Sequence, residues 1–319
     1  MKISRSEITT FIVVVGAVIW SLQRECERAS TPAPAPVNYE EAGSAYQQGV
    51  IFLENKDLNQ ALASFNRAAD LNPKDAQAFY GLGSVYYKKS QWQLAIQNYA
   101  KAIAADPQYT DAYYARGLTY DKTGQYDAAI ADYSKALQMN PTYAEIYPQR
   151  GKAYDLKGQT DLAIKDYQKA LELNPKELNA YINRSVAYMD QNKFELALSD
   201  LNQALRIDPE SPEALLNRGM VFKEQGKLEL ALKDYAQALE FKPGYIEVYY
   251  NMAWIHWQKG ALDLAIKEYS KAIELAPDFD WAYYQRGLLY HKKGNRKQAQ
   301  ADYKKAVELN PELAKKPYE

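Results

Sequence analysis

From residue 42 onward the chain writes one motif eight times at a spacing of 34 residues, without insertion or deletion. A strict period of that length excludes a single closed core. Each copy is instead a small supersecondary unit that buries its apolar face only by stacking on its neighbours. The surest column is proline: Pro73, Pro107, Pro141, Pro175, Pro209, Pro243, Pro277 and Pro311. Alanine stands twelve positions before each, from Ala61 to Ala299, and again five before, from Ala68 to Ala306. Between the two alanines lies a large residue: Phe65, Tyr99, Tyr133, Tyr167, Leu201, Tyr235, Tyr269 or Tyr303. Earlier in each copy a small residue recurs (Gly49, Gly83, Gly117, Gly151, Ser185, Gly219, Ala253, Gly287), and three positions later comes an aromatic residue or His256.

Spacings of 3, 4 and 7 place these columns on single helical faces. Small residues let two helix backbones approach, and the rings fill the space between units. Gly124, Gly158, Asn192, Gly226, Gly260 and Gly294 fall where a left-handed residue ends the first helix of a pair. The proline, unable to donate inside a helix, ends the second. Each copy therefore reads as a helix-turn-helix.

This pattern resembles the tetratricopeptide repeat over residues 42–313, divided as 42–75, 76–109, 110–143, 144–177, 178–211, 212–245, 246–279 and 280–313. The resemblance implies an all-α, right-handed superhelical solenoid whose first helices line a concave groove for an extended peptide or a partner protein. Inner repeats carry Trp92, Tyr126, Phe194, Leu228 and Leu262 at one stacking position, where the last repeat has Arg296. Four residues on, Gln300 replaces an otherwise aliphatic column. The last face is thus polar, as a terminal repeat requires, and the array is expected to end near residue 313 without a further capping helix.

Charge and chemistry narrow the function. Lys and Arg total 39 against 40 Asp and Glu, so no net field recruits nucleic acid. The two histidines, His256 and His291, lie in different repeats, and the single cysteine, Cys26, precedes them all. No metal-ligand, phosphate-loop or nucleophile motif occurs. Carboxylates are abundant and read as solvent-facing. Neither enzymatic activity, cofactor, metal nor small-molecule substrate is expected, and homo-oligomerisation is not indicated.

The resemblance places the binding residues on a few first-helix positions. One column is amide: Gln149, Asn183, Asn217, Asn251 and Gln285. An amide both donates and accepts, so such a ladder could grip the main chain of an extended peptide; the alternative is a helix–helix contact. A second column carries rings, Tyr46, Tyr80, Tyr114, Tyr250 and Tyr284, with Trp254, Trp257 and Trp281 towards the C-terminal end. Rings of this kind dominate binding hot spots. Arg116, Arg150, Arg184, Arg218 and Arg286 form a further column that faces the helix pair. The lysine–asparagine–arginine set by which some relatives dock chaperone C-termini is absent.

Ahead of the repeats, residues 8–22 (ITTFIVVVGAVIWSL) are apolar or weakly polar throughout, with Lys2 and Arg5 before and Arg24 and Arg28 after. A bilayer span takes about 20 residues and a signal core about 7–15. The small-residue step at Ala33-Pro34-Ala35 lies well beyond the run. An uncleaved single-pass anchor within residues 1–28 is therefore expected, with a cleaved signal peptide or a buried helix as alternatives. Residues 29–41, rich in Pro and Ala, read as a stiff spacer, and 314–319 as a tail. The basic residues favour repeats outside the cytoplasm, periplasmic in a bacterium. The expectation is a membrane-anchored scaffold serving assembly or secretion of an envelope complex; a cytosol-facing adaptor or import receptor is the alternative.

Overall fold

The computed structural model describes residues 38–316. Among these there is no strand; sixteen α-helices pair into eight antiparallel hairpins. In order they are Tyr39–Glu54 with Leu58–Leu71, Ala76–Lys88 with Trp92–Ala105, Thr110–Lys122 with Tyr126–Met139, and Ile146–Leu156 with Thr160–Leu173. Leu178–Asp190 then pairs with Phe194–Ile207, Pro212–Glu224 with Leu228–Phe241, Ile246–Gln258 with Leu262–Leu275, and Asp280–Lys292 with Arg296–Leu309. Through the seventh repeat, neighbouring first helices touch from one repeat to the next, with no comparable contact between second helices. The stack therefore bends with its first helices on the inside.

The columns pack as their sizes require. Both alanine columns are buried, and in five repeats the ring between them lies directly on the glycine of the partner helix. A Cβ added at Gly49, Gly83, Gly117, Gly151 or Gly219 would stand 2.4–2.8 Å from a ring carbon of Phe65, Tyr99, Tyr133, Tyr167 or Tyr235. Hairpin spacing is thus set by a ring resting on bare backbone. Each fully buried ring contributes on the order of 2–3 kcal/mol from its apolar area.

Turns hold the repeats in register. The residue between the two helices has positive φ in repeats three to eight, at Gly124, Gly158, Asn192, Gly226, Gly260 and Gly294, and equally at Lys56 and Ser90 in the first two. Between repeats a second device appears. The side chain of Asn72, Asp106, Asn140, Asn174 or Asp208 accepts a hydrogen bond from the backbone N–H two residues on, at 2.9–3.2 Å. The proline sits inside this Asx turn.

The two ends differ from expectation. Arg296 and Gln300 are exposed, giving the polar last face. The array nevertheless carries a further cap: a short 3-10 helix, Pro311–Lys315, buries Leu313 to 1% exposure against Tyr284 and Ala306. At the other end a correction is needed. No helix among the described residues is long and apolar enough to cross a membrane. The single-pass, membrane-anchored placement is therefore not supported, and the segment on which it rested, residues 8–22, lies outside the described residues.

Candidate functional site

Two systems of polar side chains run along the first helices. The first faces the seam within five of the hairpins. Arg116, Arg150, Arg184, Arg218 and Arg286 each donate two hydrogen bonds, at 2.7–2.8 Å, to an aspartate of the second helix. The acceptors are Asp132, Asp166, Asp200, Asp234 and Asp302, all buried. This corrects the reading of the carboxylates as solvent-facing. Rings flank the guanidinium: Arg150 lies 5.9 Å from Tyr147 and 5.7 Å from Tyr154. Such bidentate, ring-sandwiched pairs are geometrically demanding and leave neither charge unanswered. In repeats four, six and eight the same guanidinium also reaches back to the preceding repeat. Arg150 donates to Ser134, Arg218 to Asn202 and Arg286 to Ser270, at 2.9–3.0 Å. The aspartate column stands sixteen residues after each arginine in the sequence, and that shared offset is the signal by which it could have been found.

The second system faces the inner side. Here Tyr114, Glu145, Pro148, Gln149, Lys152, Glu177, Asn179 and Asn183 line a recess of about 350 Å³. It is built from the first helices of repeats three, four and five and the turn before the fifth. Gln149 and Asn183 of the amide column thus share one site with a ring. Neither amide hydrogen-bonds to another described residue, so both are free to donate and accept. Asn217 and Gln285 are half-buried and likewise unengaged. Asn251 differs: it donates to the carbonyl of Glu247 at 2.8 Å and accepts from Lys223 at 3.0 Å. That rung is already satisfied within the protein.

The ring column divides in the same way. Tyr80 lies 5.7 Å from Tyr99 and 5.2 Å from Tyr109; Tyr114 lies 6.1 Å from Tyr133 and 5.4 Å from Tyr143. Tyr250 stands 5.4 Å from Tyr269 and 5.2 Å from Phe279. Each ring is wedged between its own second helix and the turn into the next repeat, and stays only half-buried. The partners Tyr109, Tyr143 and Phe279 form a column of their own that the sequence reading passed over, although its period shows it. Tyr284 is 5% exposed, covered by Leu313, so its place is structural and not in the groove lining. Trp254 is half-buried under Lys223, whose ammonium lies 5.2 Å away, and Trp257 packs part-buried towards the seventh hairpin. Trp281 meets Tyr284 edge-on at 5.8 Å, with Lys316 over its face.

Near the recess, carboxylates act on the ring hydroxyls. Burial pushes the Tyr114 hydroxyl up to about 12, helped by Glu145. Tyr143 rises chiefly by burial, with Asp111 and Glu145 adding. Asp155 is pushed up to about 6, by burial first and then by Asp190, while the Tyr167 hydroxyl, 3.4 Å away, works weakly against the shift. Amides and rings of this kind hold a ligand by hydrogen bonds and contact area. Among the described residues no group of His, Cys, Asp and Glu is placed to bind a metal.

Comparison with known proteins agrees with the architecture. Tetratricopeptide-repeat family models match residues 46–110, 110–143, 144–177 and 281–313, and a TPR-repeat model matches 186–226, 219–260 and 255–294. No curated protein matches the chain. Among solved structures, a tetratricopeptide repeat protein from Parabacteroides merdae is 18% identical. That match covers 78% of this chain and 99% of the other, with a TM-score of 0.63. The pilF protein of Pseudomonas aeruginosa is 19% identical over 66% of this chain and 95% of its own, with a TM-score of 0.58. YrrB, a TPR protein with an unusual peptide-binding site, is 23% identical over 58% of this chain and 95% of its own, with a TM-score of 0.51. At these identities the likeness is one of fold. With family models matching well over half of its length, the chain belongs to the tetratricopeptide repeat family.

Proposed function

We propose that the repeats, taken as residues 42–313, form an interaction scaffold that holds an extended segment of another polypeptide against the first helices. The observation that carries this reading is the recess where Tyr114, Gln149 and Asn183 converge with both amides unengaged. An amide pair spaced one repeat apart can satisfy the main chain of a strand-like segment whatever its sequence. The half-buried rings of Tyr80, Tyr114 and Tyr250, with Trp254 and Trp257 beyond, supply apolar contact at little entropic cost. That YrrB is a TPR protein with a peptide-binding site supports the reading for this chain. The chemistry is recognition, not turnover: nothing in the recess pairs a nucleophile with a base.

A photo-crosslinking residue placed at Tyr114 in the full chain should capture a polypeptide in cells, whereas the same residue at exposed Lys135, on a second helix, should not. Replacing Gln149, Asn183 and Asn217 with Ala should cut the capture. Equal capture at both positions, or capture indifferent to the amides, would overturn the proposal.

A further inference from the structure

A different kind of recess opens at the seam within a hairpin, lined by both of its helices. In the fifth repeat it measures about 370 Å³ and runs from Tyr181 and Arg184 across Ser199 and Asp200 to Arg206. In the seventh repeat the counterparts of all its lining residues, two repeats on, line a recess of about 580 Å³. The decisive difference is one side chain: Met252 stands where the fifth repeat has Arg184.

Around that position one of the arginine's partners is unchanged and the other two are replaced in kind. In the fifth repeat the guanidinium lies 5.9 Å from Tyr181 and 5.8 Å from Tyr188, and donates twice to Asp200 at 2.8 Å. Four further repeats repeat the arrangement with their own arginine and aspartate. The seventh keeps a ring at Tyr249, an imidazole at His256 and a carboxylate at Glu268, and has lost the cation. The other repeats without this arginine have lost the acid as well: Leu82 goes with Asn98, and Gln48 with Ser64. Only the seventh retains the acid alone.

Glu268 has no ion pair or hydrogen bond with another described residue. Lys271 is held by Glu274 at 2.8 Å, and Lys267 stands exposed at the rim. Burial holds the His256 imidazole below its ordinary value despite the nearby Glu268, and so disfavours a cation on that ring.

We propose that the seventh repeat is a receptor for an arginine side chain of a partner polypeptide, whose guanidinium pairs with Glu268 against the Tyr249 ring. The ligand class follows from the five internal examples. A planar fork satisfies a carboxylate with two parallel bonds and stacks on a ring, which a lysine ammonium does not do. Glutamate, one methylene longer than aspartate, carries the acceptor outward to meet a guest. The site lies apart from the recess at Gln149 and Asn183, and the two can be occupied independently.

Met252 is itself the reporter. In the full chain with carbon-13 methionine methyls, five signals arise, and Met252→Leu assigns the one at the site. Titration with acetyl-Gly-Arg-Gly-amide should move that signal saturably. The citrulline peptide, neutral but of the same shape, and the Glu268→Gln protein should each bind about tenfold more weakly or worse. A signal that stays still, or that moves equally with citrulline or in Glu268→Gln, would overturn the proposal. Independently, Met252→Arg should fill the site in cis and raise the thermal midpoint; an unchanged or lowered midpoint would show that the recess cannot hold a guanidinium.

Discussion

Gln149 and Arg150 are neighbours in the chain and do opposite things. The same holds for Asn183 and Arg184, and for Asn217 and Arg218. A step of one residue turns a helix by about 100°, enough to send the arginine into the seam and the amide to the inner side. In the seams of these repeats each arginine is matched by a bidentate aspartate. On the inner side, amides stand unengaged and one carboxylate, Asp155, is held in an environment that disfavours its charge. The lesson is a division of labour within one helical turn: one stripe fixes the hairpin, the next is left incomplete for a guest.

That division can be broken first at the seam. Asp200→Ala leaves Arg184 half-buried without its acceptor and should cost about 3 kcal/mol. Replacing both residues with Leu should cost far less, and denaturant midpoints of the two variants would show it. A second blow falls at the C-terminal end, where Leu313→Ala strips the cover from Tyr284 and should cost about 2–3 kcal/mol. Hydrogen exchange should locate that loss in the last repeat. A smaller effect has the opposite sign. Ser90 holds φ of 58°, where a Cβ is unfavourable, so Ser90→Gly should stabilise by roughly 0.5–1 kcal/mol. Asp155 sharpens the comparison through pH. Its folded value lies above the unfolded one, so its protonated form favours folding, and that contribution is lost as pH rises through about 6. Asp155→Asn should therefore raise the melting midpoint at pH 7 and leave it unchanged near pH 4. Smallest of all, replacing Gln149, Asn183 and Asn217 together with Ala should change stability by less than about 0.5 kcal/mol per site. A collapse of the melt would make that column structural.

How much of this was legible in the sequence depends on what each position demands. Pro73 and its seven counterparts, and the glycines under the rings, answer to backbone geometry that few residues satisfy, so their columns show plainly. The aspartate partners did not stand out, because Asp132 or Asp166 on a helix rich in charge looks like any exposed acid. Lys56 and Ser90 hide a left-handed backbone, since neither side chain announces it. Tyr114 and Tyr284 occupy one column and differ only because Leu313 folds over the second, a contact that periodicity cannot foresee. The recess at Gln149 and Asn183 was foreshadowed by the amide column, but Asn251, engaged by Lys223, shows that a column need not act as one.

The backward reach of the clamps has a mechanical corollary. Ser134, Asn202 and Ser270 tie repeat three to four, five to six and seven to eight, and no such tie joins four to five or six to seven. The arginine ties add a bond from the seam at those three junctions, while four to five and six to seven rely on surface pairs such as Gln191 with Asp161 and Lys259 with Glu229. Drawn out from its ends, the array should give way first at junctions that lack the arginine tie.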